Sequence, residues 1–145
     1  MHRRLTLSLL ALTLVATACG GGTSVFDLGE GDCFNDRADM TEAEAEVESV
    51  ETVDCSEPHD NEIYYEYSMT ETAYPGDNAA ADAAMFRCIE EFDAFVGTAY
   101  LDSALDTFPI TPTTSSWAAG DRVVYCAVYA MDLSRLRGSM RSSGR

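Results

Sequence analysis

The chain contains no lysine. Its nine basic residues are all arginine, against 25 aspartates and glutamates, and the formal net charge is -16. Because nucleic-acid binding needs a cationic surface that neutralises phosphates, this composition argues against a nucleic-acid partner. Hydrophobic residues still make up 46% of the 145 residues, which is too apolar for a disordered acidic chain. The length suits a single folded domain.

No apolar run is long enough to cross a bilayer as a helix, which takes about 20 residues. Residues 5–16 are apolar and follow Arg3 and Arg4, which is typical of a signal peptide. The run ends at Cys19 after small residues that resemble a lipobox, although Ala16 stands where Leu is usual. We expect a lipoprotein signal over 1–18, lipidation of Cys19 by fatty acid, and a Gly-rich leash over 19–24. The alternative is an ordinary secretory signal cleaved near Ala18.

Cysteines are few and odd in number: 19, 33, 55, 88 and 126. Lipidation of Cys19 leaves four, which favours two disulfides in an exported, oxidising setting. Cys88 lies on the apolar stripe of a predicted helix and Cys126 in an apolar strand, so we expect the pairs Cys33–Cys55 and Cys88–Cys126. Buried free thiols are the alternative. The absence of a C-x-x-C motif argues against a zinc site, and we expect no metal.

Hydrophobic periodicity predicts an α+β fold, with one main helix over about 79–96 packed on one face of a mostly antiparallel sheet. Strands are expected over 25–34, 47–55, 61–69 and 122–131, with an edge strand over 108–112. The second and third of these are expected to pair directly. In the third, Ile63, Tyr65, Tyr67 and Met69 are expected to share a face. The domain is expected to span 25–140, with a disordered tail over 141–145.

Catalytic and calcium-binding signatures are also missing, because the sequence has neither a G-x-S-x-G nor a D-x-D-x-D-G motif. His59 is the only histidine outside the signal, and it lies in the turn between two predicted strands. There we expect a structural, partly exposed ring. The alternative is a metal site or a hydrolase that uses His59 with the nearby carboxylates Asp60 and Glu62. Residues 27–66 hold fifteen acidic residues, which most simply form a solvated face. Trp117 is the remaining candidate contact, either in an aromatic binding patch or in the core.

Several patterns together resemble the septum formation domain, a family largely of exported and membrane-attached actinobacterial proteins. They are VFDLGEGDCFN at 25–35, VDCSEPHDNE at 53–62, YPG at 74–76, WAAGDRVVYC at 117–126 and GS at 138–139. This resemblance implies a link to septation and the cell envelope, and it supplies no catalytic residue or cofactor. The expectation is a non-enzymatic binding or scaffolding module anchored at the outer face of the cytoplasmic membrane. Its partner would be an envelope protein or a cell-wall component.

Overall fold

A computed structural model describes residues 22–36 and 49–145, and it confirms the α+β class. The predicted signal, Cys19 and most of the acidic segment 36–51 lie outside these residues. No helix among the described residues is long and apolar enough to cross a membrane. The elements are β1 (Thr23–Ser24), β2 (Cys33–Asn35), β3 (Ser49–Val53), β4 (Asn61–Ser68), α1 (Asp77–Val96), β5 (Leu105–Ile110), α2 (Thr114–Ala118) and β6 (Val123–Ala130).

The six strands form one sheet in the order β1-β3-β2-β4-β6-β5, with every pair antiparallel. The predicted direct pairing of the strands now seen as β3 and β4 is wrong, because β2 lies between them. Cys33 is opposite Val53 on one side and Glu62 on the other. Residues 54–60 join β3 to β4, and they are long enough to step over one strand, a distance of about 9.5 Å. The predicted edge position of β5 is confirmed, and β6 lies in the interior of the sheet between β4 and β5.

The sheet is apolar on both faces because β6 sends alternate side chains to two cores. Cys126 and Val128 pack under α1 with Phe92. Tyr125 and Ala127 pack on the opposite face. This second core also contains Val25, Leu28, Phe34, Val50 and Ile63. The predicted helix on one face is therefore confirmed. It ends where Gly97 adopts a left-handed conformation (φ 83°).

A bulge in β4 overturns the prediction that Ile63, Tyr65, Tyr67 and Met69 share a face. Ile63 is opposite Ala127 and Tyr65 is opposite Cys126, so Tyr64 is an extra residue in this strand. The side chain of Ile63 lies in the core away from α1, whereas Tyr64 and Tyr65 pack on the helix side. An inserted residue reverses the alternation beyond it, because the side-chain period of a strand is two.

Two N-terminal boundaries also differ from the prediction. Thr23 and Ser24 belong to the sheet as β1, paired with β3, so the last two residues of the expected leash over 19–24 lie in a strand. The strand predicted over 25–34 is instead a 3-10 helix (Val25–Asp27), a turn and then β2. The turn forms as Gly31 takes a positive φ of 96° and the Asp32 amide donates to the Gly29 carbonyl at 3.1 Å.

Both predicted disulfides are confirmed. Cys33–Cys55 joins the start of β2 to the connection after β3, with a Cα–Cα distance of 5.3 Å. Cys88–Cys126 joins α1 to β6, with a Cα–Cα distance of 5.4 Å. The second bridge lies in the core between the helix and the sheet.

The C-terminal segment, residues 134–145, packs against the domain, whereas the sequence predicts disorder for 141–145. Leu136 and Met140 are buried in the helix-side core. The Ser142 amide donates to the Phe95 carbonyl at 2.7 Å, and the Gly144 amide to the Val96 carbonyl at 2.9 Å. These are carbonyls of the last turn of α1, which have no partner inside the helix, so the tail satisfies them.

Candidate functional site

The backbone of His59 forms an antiparallel bridge with Leu136 of the C-terminal segment. The His59 amide donates to the Leu136 carbonyl at 3.1 Å, and the Leu136 amide donates back at 2.8 Å. Both side chains are completely buried, at 0% exposure. The expected partial exposure of His59 is therefore wrong, because a segment nearly 80 residues further along the chain covers the turn.

The imidazole of His59 has one nitrogen engaged and one without a partner. Nδ1 lies 2.9 Å from the Glu57 carbonyl oxygen. Since that oxygen can only accept, Nδ1 carries a proton, and in the neutral ring Nε2 has a free lone pair. Nε2 is buried and has no hydrogen-bond partner. The local turn thus fixes the tautomer and leaves a buried acceptor unsatisfied.

Glu62 is a buried carboxylate, at 1% exposure, that fixes the C-terminal segment. It accepts from the Ser139 hydroxyl and from the Met140 backbone amide, each at 2.6 Å. Such short charge-assisted hydrogen bonds offset the cost of burying a carboxylate. Both of its oxygens are therefore occupied by donors from the C-terminal segment.

Asp60 is a second carboxylate that contacts the C-terminal segment, and it lies nearer the surface. Its carboxylate accepts from the Asp36 backbone amide at 3.0 Å and forms an ion pair with the Arg135 Nε at 3.3 Å. Two further arginines of the C-terminal segment also contact the acidic half of the chain. Arg137 donates to the Ser56 carbonyl at 3.2 Å, and Arg141 pairs with Glu30 at 2.6 Å. The arginine-rich tail therefore counters part of the negative charge of the N-terminal half.

One cluster of potential metal ligands occurs among the described residues. A ring nitrogen of His59, the Sγ of Cys33 and a carboxylate oxygen of Glu62 lie within 4.8 Å of one another. In the disulfide form, however, Cys33 has no thiolate to offer, and Glu62 already binds two donors. The structure thus brings His59 and Glu62 together as predicted candidates, yet gives no support to the alternative of a metal site or hydrolase.

Trp117 lies at the other end of β4 and is a core residue. It belongs to α2, is 7% exposed, and packs with Met69 and Val124. The Arg122 guanidinium lies over its ring, 3.6 Å from the centroid, and Tyr74 tilts against it at 5.4 Å. Of the two roles considered for Trp117, the structure favours core packing. α2 itself begins with a capping box between Thr113 and Ser116, which the sequence analysis missed.

A cleft opens beside the His59 turn, but it is small. Its volume is about 40 Å³, against about 300–1,000 Å³ for typical small-molecule sites. Its lining consists of Asp36, Asp60, Asn61, Tyr129, Ala130, Leu133 and Ser134. The space suits water and not an organic substrate.

On the sheet beside this cleft, Asp106 accepts hydrogen bonds from two tyrosines and one backbone amide. The donors are Tyr100 Oη at 2.6 Å, Tyr129 Oη at 3.1 Å and the Thr107 amide at 2.8 Å. Burial raises the pKa of the Asp106 carboxyl, but these hydrogen bonds outweigh burial and hold the pKa below its ordinary value.

This depressed pKa predicts a pH-dependent contribution to stability. A carboxylate with a lowered folded pKa stabilises the fold fully above its ordinary value of 3.8, and the contribution is lost as pH falls through the folded pKa. We expect the unfolding free-energy difference between wild type and Asp106→Asn to shrink between about pH 6 and about pH 2. Urea titrations at several pH values measure it. Asp102→Asn, at an exposed site nearby, is the control for losing one charge, and an unchanged difference for Asp106→Asn contradicts the prediction.

Comparisons with known proteins give one result. A family model described as Septum formation matches residues 30–144, which is most of the chain. No curated protein and no solved structure matches.

Proposed function

Because this chain belongs to the septum formation family, which suggests an envelope-associated protein linked to septation, we propose that it is a lipid-anchored binding or scaffolding module. The lipid is carried by Cys19, and the domain lies at the outer face of the cytoplasmic membrane. The observation that carries the proposal is the pairing of all four cysteines beyond the signal in two disulfides. Such bridges persist in exported proteins and are rare in the cytosol.

A non-catalytic role is supported by how the candidate side chains are used. Asp60 and Glu62 hold the C-terminal segment, and Trp117 packs in the core. The family is not a known enzyme family. In this proposal the acidic surface of the domain binds the partner, which is an envelope protein or a cell-wall component.

Lipidation is tested with a single substitution. We expect labelled fatty acid to enter the wild-type protein in cells and Cys19→Ser to abolish the labelling, because the thioether-linked lipid needs that thiol. The same variant should leave the membrane fraction while keeping both disulfides, which non-reducing peptide mapping shows. Labelling that persists in Cys19→Ser contradicts the proposal.

The septal role is tested by comparing two anchored proteins in dividing cells. The first is the full chain. The second joins residues 1–24 to an unrelated reporter domain, so that it has the same signal and lipid but lacks the folded domain. We expect enrichment at division sites for the full chain only, together with protease sensitivity in intact cells. Equal distributions of the two proteins contradict a role of this domain in septation.

Crosslinking at the cell surface then tests binding. A crosslinker that does not enter cells should join the full chain to a defined partner, and the reporter protein should not capture that partner. Pretreatment with a metal chelator should leave the crosslink unchanged, because the proposed contact uses protein surface and no metal. Loss of the crosslink under chelation favours a metal-dependent function instead.

A further inference from the structure

The two disulfides differ in their accessibility. Cys88 and Cys126 are both at 0% exposure among apolar side chains of the helix-side core. Cys33 is buried at 1% exposure, but its partner Cys55 is partly exposed. An incoming thiolate needs access to one sulfur of a disulfide, and Cys55 is the more exposed residue of this pair. Attack at Cys55 makes Cys33 the leaving sulfur.

Acceptors for both reduced thiols are already in place around Cys33–Cys55. His59 has a ring nitrogen within 4.8 Å of Cys33 Sγ, and its Nε2 is buried with no partner. Cys55 Sγ lies 3.4 Å from the Gly31 carbonyl oxygen, within the range of a thiol hydrogen bond. In the oxidised protein neither sulfur has a proton to donate. Reduction therefore supplies a donor to each acceptor, and the oxidised fold leaves His59 Nε2 without a partner.

From this arrangement we propose that Cys33–Cys55 is a redox-active disulfide that exchanges with a dithiol reductant. In the reduced form, the Cys33 thiol donates a hydrogen bond to His59. This site stands independently of the septal role. Cys88–Cys126 is the structural bridge of the same domain.

The exchange proceeds in two displacements. One thiolate of the dithiol attacks Cys55 Sγ, the Cys33–Cys55 bond breaks, and its electron pair goes to Cys33 Sγ, which takes a proton from water. The second thiolate of the reductant then attacks the sulfur of the mixed disulfide that came from the reductant. This step releases Cys55 as a thiolate, which is also protonated, and leaves the reductant as a cyclic disulfide. Two electrons and two protons pass to the protein in total.

The neighbouring charge favours the thiol form of Cys33. The buried Glu62 carboxylate lies within 4.8 Å of Cys33 Sγ, and a nearby negative charge disfavours a thiolate. A protonated Cys33 is the form that can donate to His59 Nε2. Since an unsatisfied buried acceptor is costly, the new hydrogen bond stabilises the reduced state relative to the oxidised one.

The experiment is a redox titration of the full chain in dithiothreitol buffers of stepped ratio. Trapping of thiols by alkylation and peptide mass mapping report each bridge separately. We expect Cys33–Cys55 to be reduced at least about tenfold more readily than Cys88–Cys126, while circular dichroism shows a folded domain. His59→Phe fills the same space without a lone pair, and should make Cys33–Cys55 about tenfold harder to reduce, or about 30 mV. Leu136→Met is the control, since it alters the same buried bridge without touching the lone pair.

A second measurement uses the wild type alone, in case His59→Phe does not fold. The ¹⁵N resonance of His59 Nε2 should shift when Cys33–Cys55 is reduced, because its lone pair then accepts a hydrogen bond. The proposal is overturned if the two bridges are reduced together, if His59→Phe and Leu136→Met behave alike, or if the Nε2 resonance stays unchanged. Unfolding on reduction of Cys33–Cys55 alone also overturns it, since the bridge is then structural.

Discussion

Deletion of the C-terminal segment, residues 134–145, is expected to unfold the domain. The deletion removes Leu136 and Met140 from the helix-side core. Loss of one large buried aliphatic side chain alone costs about 2–5 kcal/mol. It also removes both hydrogen bonds to the Glu62 carboxylate, and a hydrogen bond to a charged group is worth about 1.5–3 kcal/mol. Since domains of this size are stable by only about 5–15 kcal/mol, the shortened chain has little or no stability left.

Circular dichroism and the fluorescence of Trp117 measure this outcome during urea unfolding. Deletion of 142–145 alone is the matched control. It keeps Leu136, Met140 and the contacts of Glu62, and removes only peripheral contacts such as the amide donated by Ser142 to Phe95. We expect that shorter deletion to cost about 2–4 kcal/mol, because it removes at least four hydrogen bonds, each worth about 0.5–1.5 kcal/mol net. A chain lacking 134–145 that unfolds at the same urea concentration as this control contradicts the prediction.

Glu62→Gln in the shortened chain separates the two causes. Glutamine has nearly the same shape without the charge, so it probes the two charge-assisted hydrogen bonds while leaving the apolar contacts in place. In the shortened chain these hydrogen bonds are already lost and water reaches the side chain, so we expect the substitution to have little effect there. In the full chain the same change should be destabilising, because the glutamine amide can no longer accept from both the Ser139 hydroxyl and the Met140 amide.

The features that the sequence predicted are those set by local patterns. The three- and four-residue spacing of Cys88, Phe92 and Phe95 predicts the buried side of α1, and all three are buried there. The same spacing places Cys88 toward the strand that carries Cys126, which is why the pairing follows from the sequence. Prolines in the segment that became β5 predict its edge position, since proline cannot donate to a central ladder.

The features that the sequence did not predict depend on contacts between distant parts of the chain. Alternation in 61–69 predicts a regular strand, but the extra residue Tyr64 is visible only once the register with β6 is known. Likewise, β2 lies between β3 and β4, where Phe34 is buried in a core whose buried residues come from five separate segments. Neither the bulge nor the strand order has a signature in a short window of sequence.

In the candidate site, the burial of Glu62 was likewise not predictable from the nearby sequence. Alternation places Glu62 on the polar face of its strand, and nothing nearby indicates a buried carboxylate. Its partners, Ser139 and Met140, lie 77 and 78 residues away. A weak signal was present in the tail, because Leu136 and Met140 are apolar residues four apart in a segment otherwise rich in Ser, Gly and Arg. That spacing indicates side chains to bury, in agreement with the predicted domain end at 140, whereas residues 141–145 carry no comparable signal.

Removal of the Cys88–Cys126 bridge is the second change with a large expected effect. Its cysteines are 38 residues apart, and a closed loop of that length restricts the unfolded chain by about 4 kcal/mol in the loop-entropy model. We expect Cys88→Ala/Cys126→Ala to lower the free energy of unfolding by about that amount and the Tm by about 15 °C. Alanine is preferred to serine here, because both positions are fully buried and a hydroxyl would need a partner.

Cys33→Ala/Cys55→Ala is the matched comparison for the same chemistry in the same domain. Its loop is shorter, at 22 residues, so the entropic term is about 3 kcal/mol. The bridge also lies outside the helix-side core, so its loss leaves the packing of α1 on the sheet intact. We therefore expect the first double variant to be the less stable of the two, in urea titrations without reductant. A loss below about 1 kcal/mol for Cys88→Ala/Cys126→Ala contradicts the loop-entropy argument, and it would mean that apolar packing alone holds α1 on the sheet.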